Sequence, residues 1–134
     1  MAVAESHFNP EMKAVAAGYL QSLGEGDSGV TLAVLTSDDG FEVASYRAQN
    51  LSGRIAAMSS SLQALGTAMA REAGLGQPRC LIIEARAGAI LILGLATASP
   101  RLSLTVVGSS DATLGQLLWA ARNCRRQLEQ ALPR

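Results

Sequence analysis

The sequence predicts an α/β (α+β) domain, a five-stranded antiparallel sheet between helix layers in the order α-β-β-α-β-β-β-α. Three observations predict it. Three stretches repeat apolar residues at alternating steps of three and four, as amphipathic helices do. Five short apolar or β-branched runs lie between them, and the connections within each group of strands are too short for crossovers. Two of those runs, residues 79–85 (RCLIIEA) and 88–95 (GAILILGL), are almost wholly apolar. They are expected to be buried on both faces, which requires helices above and below one sheet.

The first helix starts at Asn9-Pro10-Glu11, where Asn caps, Pro suits the first helical position and Glu favours the dipole. Met12, Val15, Ala16, Tyr19, Leu20 and Leu23 form its apolar face, and Gly24 is its expected stop. Residues 24–29 (GEGDSG) are a glycine-rich loop without the Lys-Ser/Thr ending of a phosphate loop. Residues 30–36 and 41–46 are two strands joined by Ser37-Asp38-Asp39-Gly40, with Asp-Gly the hairpin signal. The acidic pair Asp38 and Asp39 is read as turn chemistry.

The stretch 51–74 (LSGRIAAMSSSLQALGTAMAREAG) is the helix around which the chain is organised, with Asn50 its expected cap. Leu51, Ile55, Met58, Leu62, Leu65 and Met69 form one stripe, expected to bury against the domain itself. The opposite side carries Gly53, Ala56, Ala57, Ser60, Ala64 and Thr67, where a solvated helix would carry Lys and Glu. Such a small-residue face lets a second backbone come close. A single helix also covers one face of a five-stranded sheet poorly, and a twofold-related copy would complete the cover. Ala56, Ala57, Ser60, Ala64 and Thr67 are therefore expected at a homodimer interface. Leu81, Ile82 and Ile83 join them, because residues 79–85 begin a meander and can form an edge that pairs with its own copy.

A turn at Arg86-Ala87-Gly88 leads into the fourth strand, residues 97–101 form a loop, and residues 102–107 form the fifth strand. Ser110 or Asp111 is the expected cap of the last helix. Leu114, Leu117, Leu118, Ala121, Cys124 and Leu128 form its apolar face, and Arg122, Arg125 and Arg126 lie towards its end, where cations suit the dipole.

The chain of 134 residues fits one domain, 1–134, with residues 1–8 read as a mobile N-terminus. With 49% hydrophobic and 16% charged residues it has the makings of a packed core rather than of disorder. The 11 basic and 11 acidic residues cancel. Nucleic-acid binding, which needs a basic excess, is not expected. No basic segment followed by an apolar run opens the chain, and residues 87–98, the longest apolar segment, are too short to span a bilayer. A cytoplasmic protein without membrane insertion is the expectation. Cys80 and Cys124 read as reduced, buried thiols.

Enzymatic chemistry finds little support. His7 is the sole histidine, and a pairing with Ser59, Ser60 or Ser61 has nothing to fix its geometry. One His, two Cys and scattered carboxylates show no metal-ligand spacing, and no cofactor is expected. A small-molecule sensor or general scaffold domain of similar α/β architecture is the alternative, although for a sensor aromatic residues are few and no polar cluster interrupts the apolar runs.

The order of elements, the Asp-Gly hairpin over residues 30–46, Ala56-Ala57-Met58 on a small-residue helix, Leu81-Ile82-Ile83-Glu84, and residues 111–118 (DATLGQLL) together carry a likeness. The chain resembles the Roadblock/LC7 family, and its bacterial, MglB-like members in particular. That resemblance implies a non-enzymatic homodimer whose paired central helices form a platform for a small Ras-like GTPase. Family members act as GTPase-activating proteins, as scaffolds or as dynein light chains. The partner-facing residues it implies are Arg54, Ala57, Ser61, Ala64, Ala68 and Arg71. Arg54 and Arg71 are the arginines near the platform. Neither has a distinctive context for insertion into an active site, so reordering of the GTPase's own residues, or no stimulation, is expected.

Overall fold

Helix α1 (Pro10–Glu25) leads into strands β1 (Val30–Ser37) and β2 (Glu42–Tyr46). Helix α2 (Ser52–Glu72) follows, then β3 (Leu81–Ala85), β4 (Gly88–Gly94), β5 (Leu102–Ser109) and helix α3 (Leu114–Ala131). This computed structural model describes residues 10–96 and 101–132. The expectations placed on residues 1–8, on His7, on the Asn9 cap and on most of the loop at 97–101 fall outside the described residues.

The strands form one antiparallel sheet in the order β2-β1-β5-β4-β3. The Asp-Gly hairpin forms as expected: Gly40 adopts φ +88°, and Gly40 N–H donates to Ser37 O at 3.0 Å. Alternation along each strand sorts its side chains onto two faces. One face presents Ala33, Leu35, Leu91, Leu93, Leu104 and Val106 to α1 and α3, and these residues join Leu20, Leu117, Cys124 and Leu128 in the main core. The other face meets α2 through a second, smaller cluster built on Val34, Ala48 and Ala56.

Several sequence expectations change. Gly24 does not end α1 but lies inside it, against the Tyr46 ring. The cap of α3 is Thr113, whose hydroxyl accepts from Gln116 N–H at 3.0 Å while Gln116 Oε1 accepts from Thr113 N–H at 2.9 Å. Ser110 and Asp111 precede this box. Asn50 caps nothing, because a 3₁₀ turn over Gln49–Leu51 runs directly into α2. Strand β4 is largely buried, as its composition predicts, but β3 is not. It is an edge strand with its outer side unpaired, so Ile82 and Ile83 remain 44% and 39% exposed.

Both cysteines are free thiols, Cys124 buried and Cys80 half-buried. Burial pushes the Cys80 thiol up and the Cys124 thiol up to about 12, so both stay protonated and serve as apolar packing. Among the described residues no helix is long and apolar enough to cross a membrane.

Candidate functional site

Helix α2 is seated on the sheet by its small and hydroxylated residues. Ala56 and Ser59 are buried beneath it. Ser59 Oγ lies 2.6 Å from Thr105 Oγ1, and Gln63 Nε2 donates to Ser103 Oγ at 3.1 Å. Ser60 Oγ donates to the Asp38 carbonyl at 2.8 Å, tying the helix to the β1–β2 turn. At the N-terminal end Ser52 Oγ donates to Glu42 Oε1 at 2.7 Å. Gly66 has room only because it lacks a side chain, since a Cβ there would come within 2.9 Å of Leu81 Cδ2.

This seating inverts the expected orientation. The strip of sheet under α2 includes Ser103 and Thr105, both buried. Hydroxyl and amide groups on the helix satisfy these polar side chains, and small residues let the backbone approach. The stripe of large residues is then turned outward. Met58, Leu65 and Met69 are 58%, 60% and 65% exposed, and Leu51 is exposed as well. The expectation that this stripe packs into its own domain is overturned for these residues. Setting Ser59, buried, and Gln63, half-buried, against hydrogen-bonding partners, rather than leaving Ser103 and Thr105 unsatisfied under leucine and methionine, decides the orientation.

The expected interface residues divide accordingly. Ala56 is 0% exposed and locked against Val34 and Ala48, so it cannot reach a second copy, and that expectation is corrected. Ala57 and Ala64 are exposed, while Ser60 and Thr67 are half-buried on the flank of α2. Leu81 is half-buried against Gly66, whereas Ile82 and Ile83 are exposed on opposite faces of the edge strand. The residues expected to face a partner, Arg54, Ala57, Ser61, Ala64, Ala68 and Arg71, are all exposed along α2. The three serines considered as partners for His7 have other work: Ser59 and Ser60 bond as above, and Ser61 Oγ donates to the Ala57 carbonyl at 3.2 Å.

Sequence reading missed Met58, Leu65 and Met69 as surface residues. The signal was present in β5, where Ser103 and Thr105 fall on the face opposite Leu102, Leu104 and Val106. A helix above them needs polar partners.

The Roadblock/LC7 domain model matches residues 19–107, from within α1 to β5. The chain belongs to the Roadblock/LC7 family. No curated protein matches it in sequence. Solved structures share its fold. Myxococcus xanthus MglB superposes with TM-score 0.81 at 15% identity, over 92% of this chain and 90% of that one. The gliding protein MglB of Thermus thermophilus gives TM-score 0.79 at 16% identity, with 92% of each chain covered. A Roadblock/LC7 domain from Streptomyces avermitilis gives TM-score 0.75 at 20% identity, over 85% of this chain and 94% of that one. At these identities the likeness is one of fold. In this Roadblock/LC7 domain the outer side of α2 and the β3 edge form one apolar surface left uncovered among the described residues, while β2 forms the sheet's other edge.

Proposed function

We propose that the chain is a non-enzymatic homodimeric platform that binds and regulates a small Ras-like GTPase. The observation that carries this reading is the ridge of Met58, Leu65 and Met69 standing in water on the same domain as an unpaired apolar edge. A contiguous apolar ridge of this kind marks an interaction surface. A second copy related by a twofold axis would bring ridge to ridge and β3 to β3, in a self-complementary contact. Arg54, Ser61 and Ala68 would then look outward from the paired helices towards the GTPase. One solved relative of this fold is described as MglB with a tetrameric arrangement, which supports self-association as a habit of the architecture.

The test is solution mass by light scattering, alone and with candidate GTPases loaded with GDP or GTP. Twice the 13.9 kDa of one chain is expected for the wild type, and a single-chain mass with intact far-UV dichroism for Leu65→Glu. A wild-type chain that is monomeric at all concentrations and binds no GTPase would end the reading. An inserted arginine contributes about 10³–10⁵ in rate. Arg54→Ala is therefore expected to leave any stimulated single-turnover hydrolysis within roughly tenfold of wild type, because reordering, not insertion, is the proposed route.

A further inference from the structure

An open basin of about 960 Å³ lies on the flank of α2 away from its ridge. Its α2 wall is formed by Ser60, Gln63, Ala64, Thr67, Ala68 and Arg71. Arg79, ahead of β3, Arg101, ahead of β5, and Arg125 of α3 close it from three other segments. Asp38 and Glu129 are its acidic residues, so four cations face two anions in a chain whose formal net charge is zero.

Three of the four cations are not spent internally. Glu129 Oε2 already accepts from Ala96 N–H at 2.7 Å, and Arg125 Nη1 donates to the Arg79 carbonyl at 3.3 Å. Among the described residues the guanidinium groups of Arg71, Arg79 and Arg101 have neither an ion pair nor a hydrogen bond. Three guanidinium groups from three separate parts of the chain thus line one concavity, and among the described residues none of them is ion-paired to its two carboxylates, Asp38 and Glu129. Their planar forks are shaped for carboxylate or phosphate oxygens.

We propose that this basin seats an acidic segment of a partner polypeptide, whose Asp and Glu side chains meet Arg71, Arg79 and Arg101. The basin's form favours a chain over a small anion. A small-molecule site encloses most of its ligand, whereas this one is at the upper end of such volumes and open to solvent. Gln77, Thr67 and Ser60 along its walls suit the peptide groups of an extended strand. The inference needs charge complementarity alone and does not rest on the partner being a GTPase or on dimerisation.

The experiment is fluorescence anisotropy of a labelled Glu-rich peptide against the full chain, beside the same peptide with Gln for Glu. The acidic peptide is expected to bind and the Gln peptide not to. The double variant Arg71→Gln/Arg101→Gln is expected to weaken binding by roughly tenfold, the sum of two exposed pairs. Raising salt from about 50 to about 300 mM is expected to weaken it further, as screening requires. Arg86→Gln, in the β3–β4 turn at the other end of the sheet, should change nothing. All three arginines are exposed, so far-UV dichroism is expected to stay unchanged in each variant. Absence of binding, or equal loss in Arg86→Gln, overturns the proposal. So does displacement of the peptide by ATP or inorganic phosphate at equal affinity, which would make the basin a small-phosphate site.

Discussion

Two glycines show how much a single hydrogen atom in place of a methyl can decide. Gly108 sits in β5 with the Leu117 side chain pressed against it. A Cβ at Gly108 would lie within 3.0 Å of Leu117 Cγ and still nearer its methyl groups. Leu117 is 1% exposed and has nowhere to go. Overpacking of this kind costs about 1–3 kcal/mol, so Gly108→Ala is expected to lower stability by that amount in urea titration. Gly18 is the opposite case. It lies within α1, is exposed, and a Cβ there would have nothing within 4 Å. Gly18→Ala is expected to raise stability by about 0.5–1 kcal/mol through helix propensity alone. Equal effects from the two changes would show that the β5–α3 contact is looser than this geometry requires. Neither role was legible in the sequence, where both glycines interrupt apolar patterns in the same way.

The seam between α2 and the sheet holds two threonines of the same chemistry in opposite states. Thr105 Oγ1 is bonded to Ser59 Oγ, and both residues are buried. Thr36 is 0% exposed, and its hydroxyl has no hydrogen-bond partner. Thr105→Val would leave the Ser59 hydroxyl buried and unsatisfied, at a cost of about 1–3 kcal/mol. Adding Ser59→Ala should recover most of that loss, because removing both partners of a buried bond is nearly neutral. Thr36→Val removes an unsatisfied group and is expected to be neutral or stabilising. A thermal series over the three variants and the wild type checks this. Should Thr36→Val cost as much as Thr105→Val, the seam would be held by shape rather than by hydrogen bonds. This is also the element whose orientation the periodicity misjudged. Leu51, Met58, Leu65 and Met69 recur at helical spacing whether they face a core or a partner, and spacing does not say which. The partition was written in the polar residues Ser59, Gln63, Ser103 and Thr105, far apart in sequence and matched only in space.

At the scale of the whole molecule the two faces of the sheet are covered unequally. Helices α1 and α3 share one face and bury nearly all of the large core residues there. That half was largely legible: the order of elements, the antiparallel strands, the Asp-Gly hairpin and most of the apolar faces of α1 and α3 follow from local pattern, although Val15, expected on the α1 face, is 43% exposed. The other face has α2 alone, lying chiefly over β1 and β5 and reaching β3 through Leu81 against Gly66. What covers the rest is not local information, which is why the exposed ridge and the Arg basin had to be read from the fold.

A dimer made through both the ridge and the edge strand would differ measurably from one made through the ridge alone. In the first, the outward amide groups of Leu81–Ala85 pair with their own copy; in the second they stay open to water. Hydrogen exchange of the outward β3 amides is therefore expected to slow as protein concentration rises, in step with dimer formation, and to stay fast at every concentration in Leu65→Glu. The amides of β4, already paired on both sides, should be protected in both proteins. If β3 exchanges as quickly in the associated wild type as in the variant, the edge is free in the assembly. The copy would then meet this chain through α2 alone, with Ile82 and Ile83 left for another partner.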